Sequence, residues 1–314
     1  MKTRIITSIL LCIILIPVVI VPQLVTVFEM LVILFTILAS IEVLNMFDKQ
    51  KKMPLGIKIL SVIMTLALYS SIIDSFAICS NTLVVRVLNL VGFQLSMYLT
   101  LAIIFLCLIS CMIFVHDFDA SDVGKCFTEV LYIGISFASF TILRSYGIRF
   151  IIYLLMITVA TDVFALVFGI NFGKHKMAPT ISPKKSWEGA IGGTAVALVI
   201  GFLFLFFYPY MAPAFHDGNN LNFFAGVFEY EFFSKAGLVI FMILLTLCMS
   251  ICSQIGDLVA SKMKRTYGIK DFSNIFPGHG GVLDRFDSAL FTSTIFLVFL
   301  QVGTIVFPIL LGAI

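Results

Sequence analysis

The feature that most limits what this chain can fold into is a series of long apolar runs. Of its 314 residues, 61% are hydrophobic and only 12% are charged. A helix needs about 20 mostly apolar residues to cross a bilayer. Lipid offers the backbone no hydrogen bonds, so runs of this length must be helical. We therefore predict an all-α polytopic membrane protein with about nine transmembrane helices, near residues 4–22, 24–47, 57–79, 93–115, 126–143, 148–170, 187–208, 235–258 and 287–312.

The basic residues are distributed unevenly between these runs. If the N-terminus is cytoplasmic, 16 of the 20 Lys and Arg residues lie in cytoplasmic connections, and the other four are Arg86, Arg144, Arg149 and Lys235. Cytoplasmic connections are generally the ones rich in Lys and Arg. The pattern predicts a multi-pass protein of the cell (plasma) membrane with a cytoplasmic N-terminus. The polar loops 171–186 and 259–286 then face the cytoplasm as well.

Residues 261–287, here called the signature segment, concentrate charge in an otherwise apolar chain. The segment contains three Lys, two Arg, three Asp and one His. Basic side chains suit phosphate groups, and Gly280–Gly281 lets the backbone come close to an anion. The segment therefore indicates phosphoryl or nucleotidyl transfer at a bilayer surface.

Three carboxylates are the candidate metal ligands. Asp284 and Asp287 are three residues apart and share a helix face, and Asp257 closes the preceding run on the same side. At one membrane depth they would repel each other without a cation, and hard oxygen ligands of this kind favour Mg²⁺. The alternative is that Asp284 and Asp287 only cap a helix N-terminus, where negative charge is favoured by about 0.3–1 kcal/mol.

The other polar residues of the signature segment are candidates for catalysis or for substrate binding. The catalytic candidates are Lys270, Asp271, His279, Asp284, Arg285 and Asp287. The substrate-binding candidates are Lys264, Arg265, Gly280 and Gly281. Arg can hold a phosphate through two hydrogen bonds, while Lys supplies a point charge. The alternative for the basic residues is ordinary positive-inside charge that also attracts anionic lipid.

A second polar segment precedes the seventh run. Lys184, Lys185 and Ser186 stand at the predicted start of a helix, where lysines oppose the helix dipole unless an anion lies between them. Asp162 lies inside the sixth run, and a charge within a span is costly and usually functional. These four residues are further substrate-binding candidates, although Asp162 could instead pair with a lysine for structural reasons.

Charge content, rather than a linker, divides the chain. Residues 1–120 are predicted to be N-terminal transmembrane helices that serve as a scaffold or a dimer surface. Residues 121–314 are predicted to form the catalytic transmembrane region. Glu29, Glu42 and Glu129 lie in or near the runs without an evident partner, and hydrogen bonding within the scaffold is the role expected of them.

Three blocks of the signature segment match a known pattern. They read Ser261-x-Met263-Lys264-Arg265, then Lys270-Asp271-x-Ser273, then Phe276-Pro277-x-His279-Gly280-Gly281-Val282-x-Asp284-Arg285-Phe286-Asp287. This pattern resembles the signature of the phosphatidate cytidylyltransferases, also called CDP-diacylglycerol synthases. Residues 182–189 are similar to a second motif of that family, in which Thr is commoner than Ser at position 186. The resemblance covers the C-terminal half, and residues 1–120 match only as a hydrophobic multi-span region.

The resemblance implies an activity and a set of partners. In this family CTP and phosphatidic acid react to give CDP-diacylglycerol and pyrophosphate, a step of phospholipid biosynthesis. The resemblance also implies a homodimer with nine spans and a cytoplasm-facing polar cavity. It further implies Mg²⁺ held by Asp257, Asp284 and Asp287, with K⁺ as an accompanying cation. The expected partners are CTP, phosphatidic acid and membrane lipid, and no nucleic acid.

Three other readings compete with this one. A CDP-alcohol phosphotransferase would carry a DG-x2-AR arrangement, which the sequence lacks. A cytidylyltransferase that acts on an archaeal or isoprenoid lipid phosphate is closer and harder to separate. An ion-coupled transporter would use acidic residues within its spans, but it predicts broken helices and internal repeats. It also leaves the signature segment without a purpose.

Overall fold

The structure is a computed structural model that describes residues 13, 15–92, 94, 96–211, 223–224, 227 and 235–312. Most of the predicted first run, 4–22, lies outside the described residues. The helices are α1 (Val25–Phe47), α2 (Leu55–Asp74), α3 (Leu83–Val91), α4 (Met97–Phe114), α5 (Ala120–Tyr146), α6 (Ile148–Phe172), α7 (Trp187–Phe207), α8 (Lys235–Thr266) and α9 (Leu283–Gly312). The strands are β1 (Lys176–Ala178) and β2 (Ser182–Ser186).

Among the described residues, eight helical segments are long and apolar enough to cross a membrane. They are Pro22–Phe47, Leu55–Asp74, Met97–Phe114, Ala120–Tyr146, Ile148–Phe172, Trp187–Tyr210, Val239–Thr266 and Leu283–Thr304. They correspond to the second to the ninth predicted runs. The prediction of an all-α polytopic membrane protein is therefore confirmed.

Several boundaries differ from the prediction. Helix α5 begins at Ala120 instead of 126, α8 continues to Thr266 instead of 258, and α9 begins at Leu283 instead of 287. In each case the helix extends into polar sequence, because hydropathy locates the part of a helix that lies in lipid and not its ends. The predicted loop 171–186 is also wrong in part, since β1 and β2 pair there as an antiparallel hairpin with Lys176 opposite Ser186.

The chain divides into two compact units, and the first consists of residues 1–145 and 263–286. In this unit α2 and α5 approach closely, and a Cβ added at Gly134 would lie 3.2 Å from Leu68. Buried polar groups pair across the same two helices. Thr65 donates to the Glu129 carboxylate at 2.8 Å, and the Tyr69 and Thr141 hydroxyls are 2.9 Å apart. The unit is thus held by close packing together with hydrogen bonds between buried side chains.

The second unit consists of residues 146–262 and 287–314. Its helices α6 and α7 cross at glycines, because a Cβ added at Gly193 would lie 2.6 Å from the carbonyl oxygen of Thr161. Small residues at such crossings let helix backbones pack closely within a membrane. The predicted division of the chain near residue 120 stays a prediction about roles, since these units are defined by packing.

Candidate active site

The signature segment forms the end of α8, a polar loop over residues 267–282, here called the signature loop, and the start of α9. Within the loop, the Phe276 amide donates to the Gly280 carbonyl at 2.9 Å, and the His279 amide donates to the Phe276 carbonyl at 2.8 Å. Gly278 and Gly280 have φ values of 79° and 87°, a left-handed conformation that favours glycine. The Pro-Gly-His-Gly-Gly sequence therefore closes a tight turn directly before α9.

Asp284 holds this loop from the inside. Its Oδ1 accepts a hydrogen bond from Lys264 Nζ at 2.6 Å, and its Oδ2 accepts from the amides of Phe272 at 2.7 Å and Gly281 at 3.0 Å. The Asp284 and Lys264 side chains are only 3% and 11% exposed. One buried carboxylate thus joins the end of α8, the middle of the loop and the start of α9. The structure brings the predicted residues Lys264, Gly281 and Asp284 together.

Glu42 of α1 holds the same loop from the other side. Its Oε1 accepts from Ser273 Oγ at 2.6 Å and from the Val282 amide at 2.9 Å, and its Oε2 accepts from the Leu283 amide at 2.9 Å. These partners of Glu42 were not predicted from the sequence. The available signal was a carboxylate inside an apolar run, which demands partners in lipid but does not say which ones.

Several candidate residues face solvent from this framework. Lys270, Asp271, Arg265 and Arg285 are exposed. Asp271 also lines a cavity of about 340 Å³ whose wall includes Asn45, Lys49 and Asn274. The loop is therefore fixed by buried carboxylates, and its charged side chains are exposed to solvent. A site for a charged substrate requires this arrangement.

A second group of candidates meets in the other compact unit. Lys185 Nζ lies 2.7 Å from Asp257 Oδ2 and donates to the carbonyl of Gln254 at 3.3 Å. The Asp162 carboxyl interacts electrostatically with both Asp257 and Lys185, and Asp162 is exposed although it lies within α6. The three residues form one mixed-charge cluster, here called the Asp257 cluster.

Asp287 lies at a close crossing of α8 and α9 in this same unit. A Cβ added at Gly256 would lie 2.8 Å from the carbonyl oxygen of Asp287 and 2.7 Å from Phe291 Cβ. Gly256 immediately precedes Asp257, so the backbones that carry Asp257 and Asp287 touch at this point. The Asp287 side chain is largely buried, with the residue 9% exposed.

The second polar segment positions the start of α7. Ser186 is 3% exposed, and its hydroxyl accepts from the Gly189 amide at 3.2 Å as the N-cap of α7. This confirms the predicted start of the helix. The structural role of Ser186 is to cap the N-terminus of α7. Lys184 is exposed on β2. His175 Nδ1 and Glu188 Oε1 are 2.6 Å apart, which ties the hairpin to the first turn of α7.

The carboxylates suit a hard cation by the chemistry of their oxygens. Asp284 uses three of about four lone-pair sites for protein donors, so one remains. Asp257 is paired with Lys185. Among the described residues, no three His, Cys, Asp or Glu side chains are arranged as a set that could hold a metal ion. The assignment of Asp257, Asp284 and Asp287 as ligands of Mg²⁺ therefore stays a prediction.

The helices define a polytopic membrane protein with a polar, charged loop before its last span, and comparison with known proteins identifies the family. The model of the cytidylyltransferase family matches residues 2–303. The chain belongs to that family.

Individual relatives carry a more specific name. The chain is 39% identical over 176 residues to a phosphatidate cytidylyltransferase of Staphylococcus haemolyticus, strain JCSC1435, and 38% identical to one of Staphylococcus aureus, strain COL. A third, from Staphylococcus epidermidis, strain ATCC 12228, is 36% identical. In each case the alignment covers 56% of this chain and 58% of the relative, which is less than two thirds of its length.

Proposed function

We propose that this protein transfers a cytidylyl group from CTP to phosphatidic acid, giving CDP-diacylglycerol and pyrophosphate for phospholipid biosynthesis. The observation that carries the proposal is the fixed signature loop. The buried carboxylates of Glu42 and Asp284 fix this loop by hydrogen bonds to its backbone amides. Lys270 in the loop and Arg285 just after it are exposed. Membership of the cytidylyltransferase family and the names of the staphylococcal relatives support the choice of both substrates.

The proposed reaction needs no covalent enzyme intermediate. A phosphate oxygen of phosphatidic acid forms a bond to the α-phosphorus of CTP, and the bond from that phosphorus to the oxygen bridging to the β-phosphate breaks. The electron pair leaves with pyrophosphate. Phosphatidic acid is already ionised near neutral pH, so an enzymic base is not required. The phosphates would be oriented, and their negative charge offset, by Lys270, by Arg285 and by one of Lys264 and Arg265. Most of the acceleration in such reactions arises from this electrostatic stabilisation.

We propose Mg²⁺ as the cofactor, with K⁺ as a possible companion, and Asp257, Asp284 and Asp287 as the residues that would hold it. A bound divalent ion supplies Lewis-acid stabilisation of charge on the phosphoryl oxygens. The oxygen ligands are the kind that Mg²⁺ prefers. Under this proposal, Asp287 contributes to binding the ion. Asp284 contributes to binding the ion and also fixes the signature loop through its hydrogen bonds.

We further propose that the protein lies in the plasma membrane with its N-terminus and the signature loop in the cytoplasm. Contacts within the first unit agree with the charge distribution. Lys51 lies 2.8 Å from Asp119 and 2.6 Å from Asp122, and Gln50 donates to the Thr266 carbonyl at 3.4 Å. Hydrogen bonds to Asp119 and then Asp122 raise the pKa of Lys51. These residues come from three connections that the charge count assigns to one side.

A homodimer is part of the same proposal. Its support is the family resemblance, together with the length of apolar surface on α4, of which only Thr100, Ile104 and Leu108 are buried within the chain. Lipid covers such a surface equally well, so this part of the proposal is tested by measuring the mass of the detergent-solubilised protein.

The direct test of the activity is pyrophosphate release by detergent-purified protein. CTP, phosphatidic acid and Mg²⁺ together should give pyrophosphate and a lipid with the mass of CDP-diacylglycerol. Omission of the lipid or of Mg²⁺ should stop both. Formation of product from an isoprenoid phosphate but not from phosphatidic acid would reassign the lipid substrate, and no nucleotide turnover with any lipid phosphate would refute the proposal.

A further inference from the structure

We propose that Glu42 of α1 is a positioning residue for the cytidylyl transfer, because it fixes the start of α9 and the turn before it. The inference rests on the proposed function for its kinetic part only. It connects the N-terminal helices, expected from sequence to be a scaffold, to the chemistry of the signature segment.

The contacts of Glu42 are specific to that turn. Its two carboxylate oxygens accept from Ser273 Oγ and from the amides of Val282 and Leu283 at 2.6–2.9 Å. The last two amides belong to the residue before α9 and to its first residue, and N–H groups at a helix N-terminus have no acceptor within the helix. The residue is 2% exposed, and charge-assisted hydrogen bonds are stronger in such surroundings.

Gly281 shows how closely Glu42 and the turn are fitted. A Cβ added there would lie 2.3 Å from Glu42 Oε1. The glycine is therefore required for the carboxylate to reach the amides behind it. Asp284 binds the Gly281 amide as well, so two buried carboxylates, one from α1 and one from α9, fix the same three-residue segment.

The consequence concerns the candidate site residues on either side of the turn. Ser273 lies three positions after Lys270 and two after Asp271. On the other side of the turn, Val282 lies two positions before Asp284 and three before Arg285. By bonding to both ends, Glu42 fixes the two parts of the signature loop relative to each other. A loop held to within a fraction of an ångström is what efficient phosphate chemistry requires.

The test uses Glu42→Gln and a matched control on the same helix. Glu29 is also buried in α1, and it also accepts from the first amide of another helix, Leu83 of α3, at 2.6 Å. Glu29→Gln therefore makes the same chemical change at the same kind of contact, away from the signature segment. In Glu42→Gln the amide group keeps one acceptor oxygen and turns its NH2 toward a backbone donor.

Two measurements decide the matter in the full-length protein. Amide hydrogen exchange over residues 272–284 should accelerate by about tenfold or more in Glu42→Gln and remain as in the wild type in Glu29→Gln. The kcat for cytidylyl transfer should fall by about tenfold to a hundredfold in Glu42→Gln, the loss expected for a hydrogen bond to a charged group, and stay within about twofold in Glu29→Gln. Equal exchange and equal kcat in the two variants would overturn the proposal.

Ser273→Ala keeps the test decisive if Glu42→Gln does not accumulate in the membrane. It removes one donor to Oε1 and leaves the carboxylate in place, so we expect the same two changes at smaller size, about threefold to tenfold. Wild-type exchange and kcat in Ser273→Ala would then overturn the proposal. If the wild-type protein transfers no cytidylyl group, the proposed function fails, while the exchange comparison still decides whether Glu42 holds the turn.

Discussion

The acidic residues of the signature segment differ in what already binds them. Asp284 accepts three hydrogen bonds from the protein, one of them from the buried Lys264. The Asp287 Oδ1 atom accepts from the amide of its own neighbour, Ser288, at 2.8 Å. The two residues are three positions apart on α9 and look equivalent in sequence, yet their contacts assign them different combinations of structural and chemical work.

That difference predicts different outcomes for the two Asp→Asn variants. We expect both to reduce kcat to near background, because each removes a proposed hard ligand, and the loss should appear in kcat rather than as a mild rise in KM. Asp284→Asn should also lower thermal stability, because it leaves Lys264 buried without its anionic partner, a change that costs about 3–5 kcal/mol when a pair is fully buried. Asp287→Asn leaves the Lys264–Asp284 pair in place, so we expect it to lower the melting temperature less. Near-normal rates at low Mg²⁺ in either variant would contradict the metal assignment.

Lys184 and Lys185 are also separated by their surroundings. Lys185 contacts Asp257, whereas Lys184 is exposed on β2. We expect Lys185→Gln to reduce kcat/KM by about tenfold to a hundredfold, the loss of a charge-assisted hydrogen bond, and Lys184→Gln to reduce it less. Steady-state kinetics in both substrates measures this. Unchanged kinetics in the double Gln variant would confine the site to residues 257–287.

At the scale of secondary-structure elements, glycines decide how closely helices cross. Gly193 of α7 faces the backbone of α6, with an added Cβ 2.6 Å from the Thr161 carbonyl and 2.9 Å from the Ala165 amide. Neither backbone atom can move aside as a side chain tip could. Because Asp162 follows Thr161 directly, this crossing also sets where α6 places Asp162.

The crossing can be tested with two Gly→Ala variants. Gly193→Ala should destabilise the protein by about 1–3 kcal/mol, the usual cost of overpacking, seen as a lower melting temperature in detergent. Gly124→Ala in α5 is the matched control, because an added Cβ there meets nothing within 4 Å. It should be neutral or stabilising by up to about 1 kcal/mol, since alanine favours helix over glycine. Equal melting temperatures would mean that α6 and α7 are not packed as described.

The helices themselves could be predicted from sequence, and their ends and partners could not. Length and apolar content identified the eight spans within the described residues, because lipid leaves the backbone no alternative. The extension of α8 to Thr266 carries no apolar signal, since that part is polar. The hairpin is short and rich in lysine, and its pairing depends on contacts such as that of His175 with Glu188.

The residues of the candidate site could likewise be predicted from the sequence, but their hydrogen-bond partners could not. The residue types and spacing of 261–287 indicated phosphate chemistry without any coordinates. The partners of Asp284 and Glu42 depend on contacts between residues 20 and more than 200 positions apart, which one sequence does not reveal. Glu42 shows the limit clearly, because its cost in lipid was evident and its function was not.

At the scale of the whole molecule, the orientation in the membrane makes a prediction for chemical labelling. Asn81 is exposed before α3, on the side assigned to the outside, and Asn274 is exposed in the signature loop. In a background without other accessible thiols, Asn81→Cys should react in whole cells with a membrane-impermeant maleimide, and Asn274→Cys should react only after permeabilisation. The reverse pattern would place the signature loop away from cytoplasmic nucleotides.

The proposed reaction moves the α-phosphorus of CTP, with its nucleoside, onto a lipid phosphate. The most direct measurement incubates the purified protein with phosphatidic acid, Mg²⁺ and CTP that carries a radioactive phosphorus at either the α or the γ position. We expect the α label in an organic-soluble lipid and the γ label in water-soluble pyrophosphate. Transfer of the γ label to the lipid, or an unlabelled lipid after incubation with the α-labelled CTP, would contradict the proposed reaction.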